Sequence, residues 1–128
     1  RFEGKNFDED FTRYERIEDE LMDETKQPVL HILGIDLLSS QFDGEAVMRI
    51  GNLYSARVRE TGNLAIAILK PGYSELSKMF GASADLHLKI TREHGALIFY
   101  GVKPRTGLYV VETDPSNGYP MPKLTPIT

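Results

Sequence analysis

The chain opens on a helical pattern. Phe7, Phe11, Tyr14, Ile17 and Leu21 recur at spacings of four, three, three and four, which lines them along one face of a 3.6-residue period. Asn6 is placed to cap the start, and Asp8, Glu9 and Asp10 fall in the first turn, where the positive end of the helix dipole favours carboxylates. Pro28 sets the limit, because the residue before a proline avoids helical geometry. The pattern predicts an acidic amphipathic helix within residues 1–27, packed on the rest of the domain.

After Pro28 the period shortens to two. Val29 to Leu38 (VLHILGIDLL) is apolar on both alternating faces, as expected of a central strand covered on both sides. Asp43 and Gly44 supply a tight-turn signal. From Glu45 to Glu60 the positions Ala46, Met48, Ile50, Tyr54, Ala56 and Val58 keep one parity, broken by Asn52, which predicts one long strand bent or bulged near Gly51. Gly62 and Asn63 turn the chain, and Leu64, Ile66 and Ile68 return it as a partner strand. Tyr73 to Phe80 reads as a short helical connection with Leu76, Met79 and Phe80 facing inward.

Leu86, Leu88 and Ile90 alternate with His87, Lys89 and Thr91, a half-buried strand. Strands over Ala96–Val102 and Leu108–Thr113, joined through His94–Gly95 and Lys103–Gly107, complete a three-strand meander. Beyond Asp114 the chain holds four of its seven prolines and no periodicity, which predicts an extended strap or linker. The expected fold is α+β: an N-terminal amphipathic helix on a curved antiparallel sheet or sandwich of six to seven strands, with one short helical connection. The expected organisation is an acidic helix over 1–27, a β-rich body over 28–114 and a proline-rich tail over 115–128.

Composition narrows the function classes. A chain of 128 residues is the size of one domain. No uncharged apolar stretch approaches the roughly 20 residues of a membrane-spanning helix. Without cysteine there is no disulfide, thiolate nucleophile or cysteine-ligated metal, and the compartment stays open. Arg1 in place of methionine suggests an excised or processed piece. The net charge of -4 hides a split. Residues 1–27 hold ten acids and five bases, while the remaining chain holds nine acids and ten bases.

The catalytic motifs are absent: there is no GxGxxG, P-loop, HExxH, GxSxG or calcium-loop pattern. His31 and Asp36 share the first strand at opposite parity, so a dyad between them requires a bulge, and Gly34 is the place for one. A carboxylate inside ILGIDLL must find a partner, reach a strand end or titrate abnormally. With Tyr54 and Tyr100 these residues form the candidate polar lining of an apolar pocket. His87 and His94 lack a local carboxylate to complete a metal site, and no cofactor is expected.

A second pattern is cationic. Arg49, Arg57 and Arg59 share one parity of the expected long strand, and Lys89 lies on the polar face of another. If neighbours, they form a basic strip suited to phosphate, an acidic partner or the acidic helix of another copy, although the aromatics needed to stack single-stranded nucleic acid are missing. The third candidate surface is the helix itself, docking through Phe7, Phe11, Tyr14, Ile17 and Leu21.

These features favour a non-enzymatic protein-interaction or assembly domain, one module of a larger protein or complex, whose partner is another protein or a copy of itself. The alternatives are a small-molecule binder or enzyme with a cavity between sheet and helices, and a binder of nucleic acid or anionic lipid through the basic face.

Overall fold

The computed structural model describes residues 6–128. Residues 1–5 of the expected helical segment lie outside the described residues. The chain divides into two compact units, one ending at Ser83 and the other spanning Ala84–Thr128.

The first unit opens with helix α1, Phe7–Thr25, as the apolar spacing predicts. The Asn6 side chain accepts hydrogen bonds from the amides of Asp8 and Glu9 at 3.1 and 3.4 Å. Lys26, in the left-handed region at φ 54°, closes the other end by donating to the Met22 carbonyl.

Strand β1 is shorter than expected, Leu30–Gly34, and helix α2, Ile35–Gln41, follows without a loop. The long apolar run concealed this change of period. Ile35 and Leu38 lie three apart and are both buried, which is helical spacing, while Leu37 is 63% exposed.

The largest correction concerns residues 44–61. They form helix α3, Gly44–Thr61, and no long bent strand exists there. Ile50, Tyr54 and Val58 are four residues apart; four is even, so a helical stripe imitates strand parity. The buried set Val47, Ile50, Gly51 and Tyr54 shows the true period. Asp43 is the cap of this helix, its Oδ1 accepting from the Ala46 amide at 2.8 Å, and Gly62 ends it at φ 73°. Gly51 serves close packing: a Cβ there would lie 2.6 Å from the Phe80 ring of helix α4, Ser74–Ser83, the expected helical connection.

Strand β2, Leu64–Ile68, pairs with β1 in parallel, Leu30 opposite Leu64 and Gly34 opposite Ile68. An α2–α3 crossover thus replaces the expected hairpin return, since parallel neighbours need a long connection. The core of this unit, Phe11, Leu33, Ile35, Leu38, Val47, Ile50 and Tyr54, joins all of α1, β1, α2 and α3.

The second unit is an antiparallel sheet in the order β3-β4-β5-β6. Strands β3 (His87–Glu93), β4 (Ala96–Lys103) and β5 (Tyr109–Asp114) are the expected meander. The β3–β4 turn places both His94 and Gly95 at positive φ, the tight hairpin geometry that matches strand twist. The segment expected as an extended strap or linker contributes β6, Met121–Pro126. Its prolines are tolerated because β6 is an edge strand, where a missing amide need not interrupt a ladder. The six strands among the described residues are therefore divided between a parallel pair and a four-stranded antiparallel sheet, in place of one sheet or sandwich of six to seven.

Ile50 is 1% exposed, so Ile50→Ala is expected to cost about 2–5 kcal/mol in urea unfolding, through lost burial and an unfilled cavity. Asp43→Ala is expected to cost about 1 kcal/mol, the worth of one helix cap. Were residues 44–61 a strand, removing that cap would leave stability unchanged.

Candidate functional site

Two groups of polar side chains and one apolar face stand out in the first unit. The first group is buried where α1, β1 and α3 meet. His31 of β1 is 3% exposed, and its Nδ1 lies 2.7 Å from the Tyr14 hydroxyl of α1 and 3.3 Å from the Tyr54 hydroxyl of α3. The ring's Nε2 lies 3.3 Å from Glu18 Oε1 and makes no hydrogen bond.

Glu18, 2% exposed, is the hub. Its Oε2 accepts from Arg57 Nε at 2.5 Å, and its Oε1 accepts from Asn63 Nδ2 at 2.6 Å. Asn63 Oδ1 accepts from the Val29 amide at 2.8 Å, which ties the start of β1 to the start of β2. Arg57 also donates to Asp19 at 2.6 Å and lies 4.0 Å from Glu15. The bond to Glu18 holds the Arg57 guanidinium more firmly protonated than usual. Burial, and secondarily the Glu18 charge, pushes the Tyr14 phenol above its ordinary value. The centre of this network is buried, which makes it a clamp between elements.

The second group lies beyond the carboxyl ends of the parallel strands. Asp36, in the first turn of α2, pairs with Lys70, just after β2, at 2.9 Å. The hydrogen bond from Lys70 holds the Asp36 carboxyl below the usual carboxylate range, and the same bond raises Lys70. In open parallel sheets this end of the strands is where ligands bind.

The remaining expected residues are dispersed. Of the pocket set, His31 and Tyr54 meet inside the core, Asp36 sits with Lys70, and Tyr100 is half-buried on β4 of the other unit, opposite Lys89. A small apolar cleft of about 120 Å³ lies beside Met48, Gly51, Asn52, Met79, Phe80 and Ser83, and none of the four lines it. Because residues 44–61 are helical, Arg49, Arg57 and Arg59 do not share a strand face. Arg49 sits 3.3 Å from Asp8 and over the Phe7 ring, Arg57 is taken by Glu18 and Asp19, and Arg59 donates to the Ser83 carbonyl. Lys89 is exposed on β3.

The helix stripe is divided. Phe7, Phe11 and Tyr14 pack inward, with Phe7 against Phe42 and Phe11 against Tyr54, while Ile17 and Leu21 are 43% and 42% exposed. No group of metal-ligating side chains occurs among the described residues, and no described helix is long and apolar enough to cross a membrane.

Sequence reasoning missed Glu18, Asn63 and Lys70 as site members. Glu18 carried a signal, since it stands beside the apolar stripe of α1, a position that is buried or nearly so. The apolar face was missed for another reason. The sequence places Leu30 and Ile32 in a central strand covered on both sides and Leu64, Ile66 and Ile68 in a partner strand after Gly62–Asn63; in the structure all five point to the outer face of the β1–β2 pair and are exposed.

No family model matches the chain. Over 107 residues, 84% of its length, it is 28% identical to a curated relative, Protein GvpD1 of Halobacterium salinarum. The matched stretch is 19% of that protein, so the chain spans about a fifth of the relative's length.

Glu18→Ala is expected to destabilise the first unit by about 2–4 kcal/mol, because it leaves Arg57 and Asn63 facing a void; partial exposure of Arg57 keeps the cost below that of a fully buried pair. The alkaline limb of stability should carry Tyr14. Its contribution is complete below about pH 10, the ordinary tyrosine value, and is lost as pH climbs through the higher folded-state value. Tyr14→Phe should flatten that limb in urea titrations between neutral and strongly alkaline pH; an unchanged slope would place the phenol in water.

Proposed function

We propose that this chain is a protein-interaction module that docks through the bare face of its parallel strand pair. One observation carries the reading: Leu30, Ile32, Leu64, Ile66 and Ile68 are 54, 63, 59, 44 and 53% exposed on one side of two neighbouring strands. Parallel strands occur almost only with both faces covered, because their side chains alternate between two apolar surfaces. Here α1 and α3 cover one face and water meets the other. Full burial of an aliphatic side chain is worth about 1.5–3 kcal/mol, so completing the burial of five half-exposed ones would contribute about 4–8 kcal/mol before the entropy of association. Scattered apolar residues on a surface are ordinary, but a contiguous row on paired strands is what interaction sites present.

The likeness to Protein GvpD1 supports the same reading. There, a stretch of this kind is part of a much longer chain, in which such a face would meet further polypeptide.

A second reading draws on Asp36 and Lys70. They sit beyond the carboxyl ends of β1 and β2, the place where parallel sheets hold small ligands, and this supports a binding site or enzyme completed by additional groups. Under this reading a ligand protects the chain thermally and Asp36→Asn abolishes the protection. Under the docking reading Asp36→Asn leaves partner binding intact.

The docking reading is tested with Ile32→Asp combined with Ile66→Asp. Both positions are exposed, so unfolding free energy is expected to change by under about 1 kcal/mol. The unmodified chain is expected to bind an apolar fluorescent probe, and the double variant to lose most of that signal. A variant that unfolds like a core mutant, or an unmodified chain with no affinity for the probe, would sink the reading.

A further inference from the structure

The topology assigns this bare face and the free edge of β1 a specific occupant: we infer that a further parallel strand, with its own apolar helix, is brought there by polypeptide that leads into α1. The inference rests on the docking reading and names its partner. The argument begins with His31. Tyr14 of α1 and Tyr54 of α3 both reach its Nδ1, so α1 and α3 cover the same face of β1. Helix α3 belongs to the crossover from β1 to β2, which are parallel.

Crossovers between parallel strands are right-handed in about 98% of cases. Two right-handed crossovers whose helices lie on one face must step across the sheet in the same direction. The step from β1 to β2 has one direction. A step arriving at β1 through α1 therefore starts on the opposite side of β1, at the edge that β2 does not use. Among the described residues no strand pairs with that edge of Leu30–Gly34, which leaves a place for a parallel neighbour.

The outer face sets the rest of the occupant's chemistry. Leu30, Ile32 and the β2 row are aliphatic and uncharged, which calls for a helix with an apolar stripe. The entering strand would itself be apolar on both faces, since one side meets α1 and the other meets that helix. A second copy of this chain fits less well. A two-fold axis would pair β1 with β1 in the antiparallel sense, and α1 would then follow no strand of the sheet. The stretch matched in Protein GvpD1 is 19% of that protein, leaving ample chain for such elements in a relative of this kind.

The absence of cysteine provides the test, because Ile32→Cys introduces a single thiol on the outer face. Leu64→Cys is the second variant should the first fail to fold, and Lys78→Cys on exposed α4 is the control. Each is made in the 128-residue chain and in a chain extended upstream along its reading frame through the next strand-and-helix pattern. Maleimide labelling at position 32 is expected to be fast in the shorter chain and about a hundredfold slower in the longer one, since a covered thiol reacts only through local opening. Labelling at position 78 should be equal in both, and amides on the free edge of β1 should gain hydrogen-exchange protection in the longer chain only.

Equal labelling at position 32 in the two chains, or a reading frame with no such pattern upstream, overturns the inference. Protection that already appears in the shorter chain and grows with concentration, tracking a dimer in sedimentation, overturns it in favour of a second copy while the docking reading stands. Protection in the shorter chain as a monomer defeats both, because the face would then be covered from within.

Discussion

The first unit depends on one buried carboxylate. Glu18 carries a charge into a site 2% exposed, where it would be costly unless every lone pair found a donor. Arg57 and Asn63 supply those donors, and His31 brings a third polar edge alongside. A charge of this kind adds less net stability than an apolar side chain of equal volume, yet it tolerates few alternative arrangements. It fixes α1 against α3 through Arg57, and Asn63 in turn holds the start of β1 beside the start of β2 through the Val29 amide. Helix rotation and strand register are thus set by the same few atoms.

From that clamp follows the one-sidedness of the sheet. With α1 and α3 drawn to the His31 face, α2 buried in the same core and α4 packed on α3, the outer row is left exposed. The exposed row from Leu30 to Ile68 results from the clamp as much as from its own sequence. The acidic character of α1 has a related explanation: its acids include the partners of Arg57 and Arg49, so part of the charge difference between the helix and the remaining chain is neutralised inside the unit.

Much of the architecture was legible in the residues. Helix α1 carried a full amphipathic stripe with a capping asparagine and an acidic first turn, and the β3–β5 meander carried clean alternation around a His-Gly turn. Helix α4 was legible as a connection. The failures have specific causes. In α3, apolar residues spaced by four satisfied strand parity, and the Asp-Gly pair that caps the helix is also a common turn signal. In α2, a continuous apolar run concealed the change of period at Gly34. In β6, prolines argued against a strand, whereas an edge position accepts them. The candidate residues fared according to distance: His31 and Tyr54 meet because their elements cross, while Asp36 and Tyr100, also singled out, belong to different surroundings.

The sequence by itself determined the local matters: where α1 begins and ends, which strands alternate, that cysteine chemistry is absent, and that the charge is unevenly placed. These are properties of neighbours along the chain, governed by period, capping and composition. Only the tertiary structure decided that Glu18, Arg57, Asn63 and His31 share one site, that β1 and β2 run parallel, and that their outer face stays bare. Those outcomes depend on contacts between residues up to 45 positions apart, as between Glu18 and Asn63. Such contacts are set by which helix covers which face, a choice that no local pattern encodes.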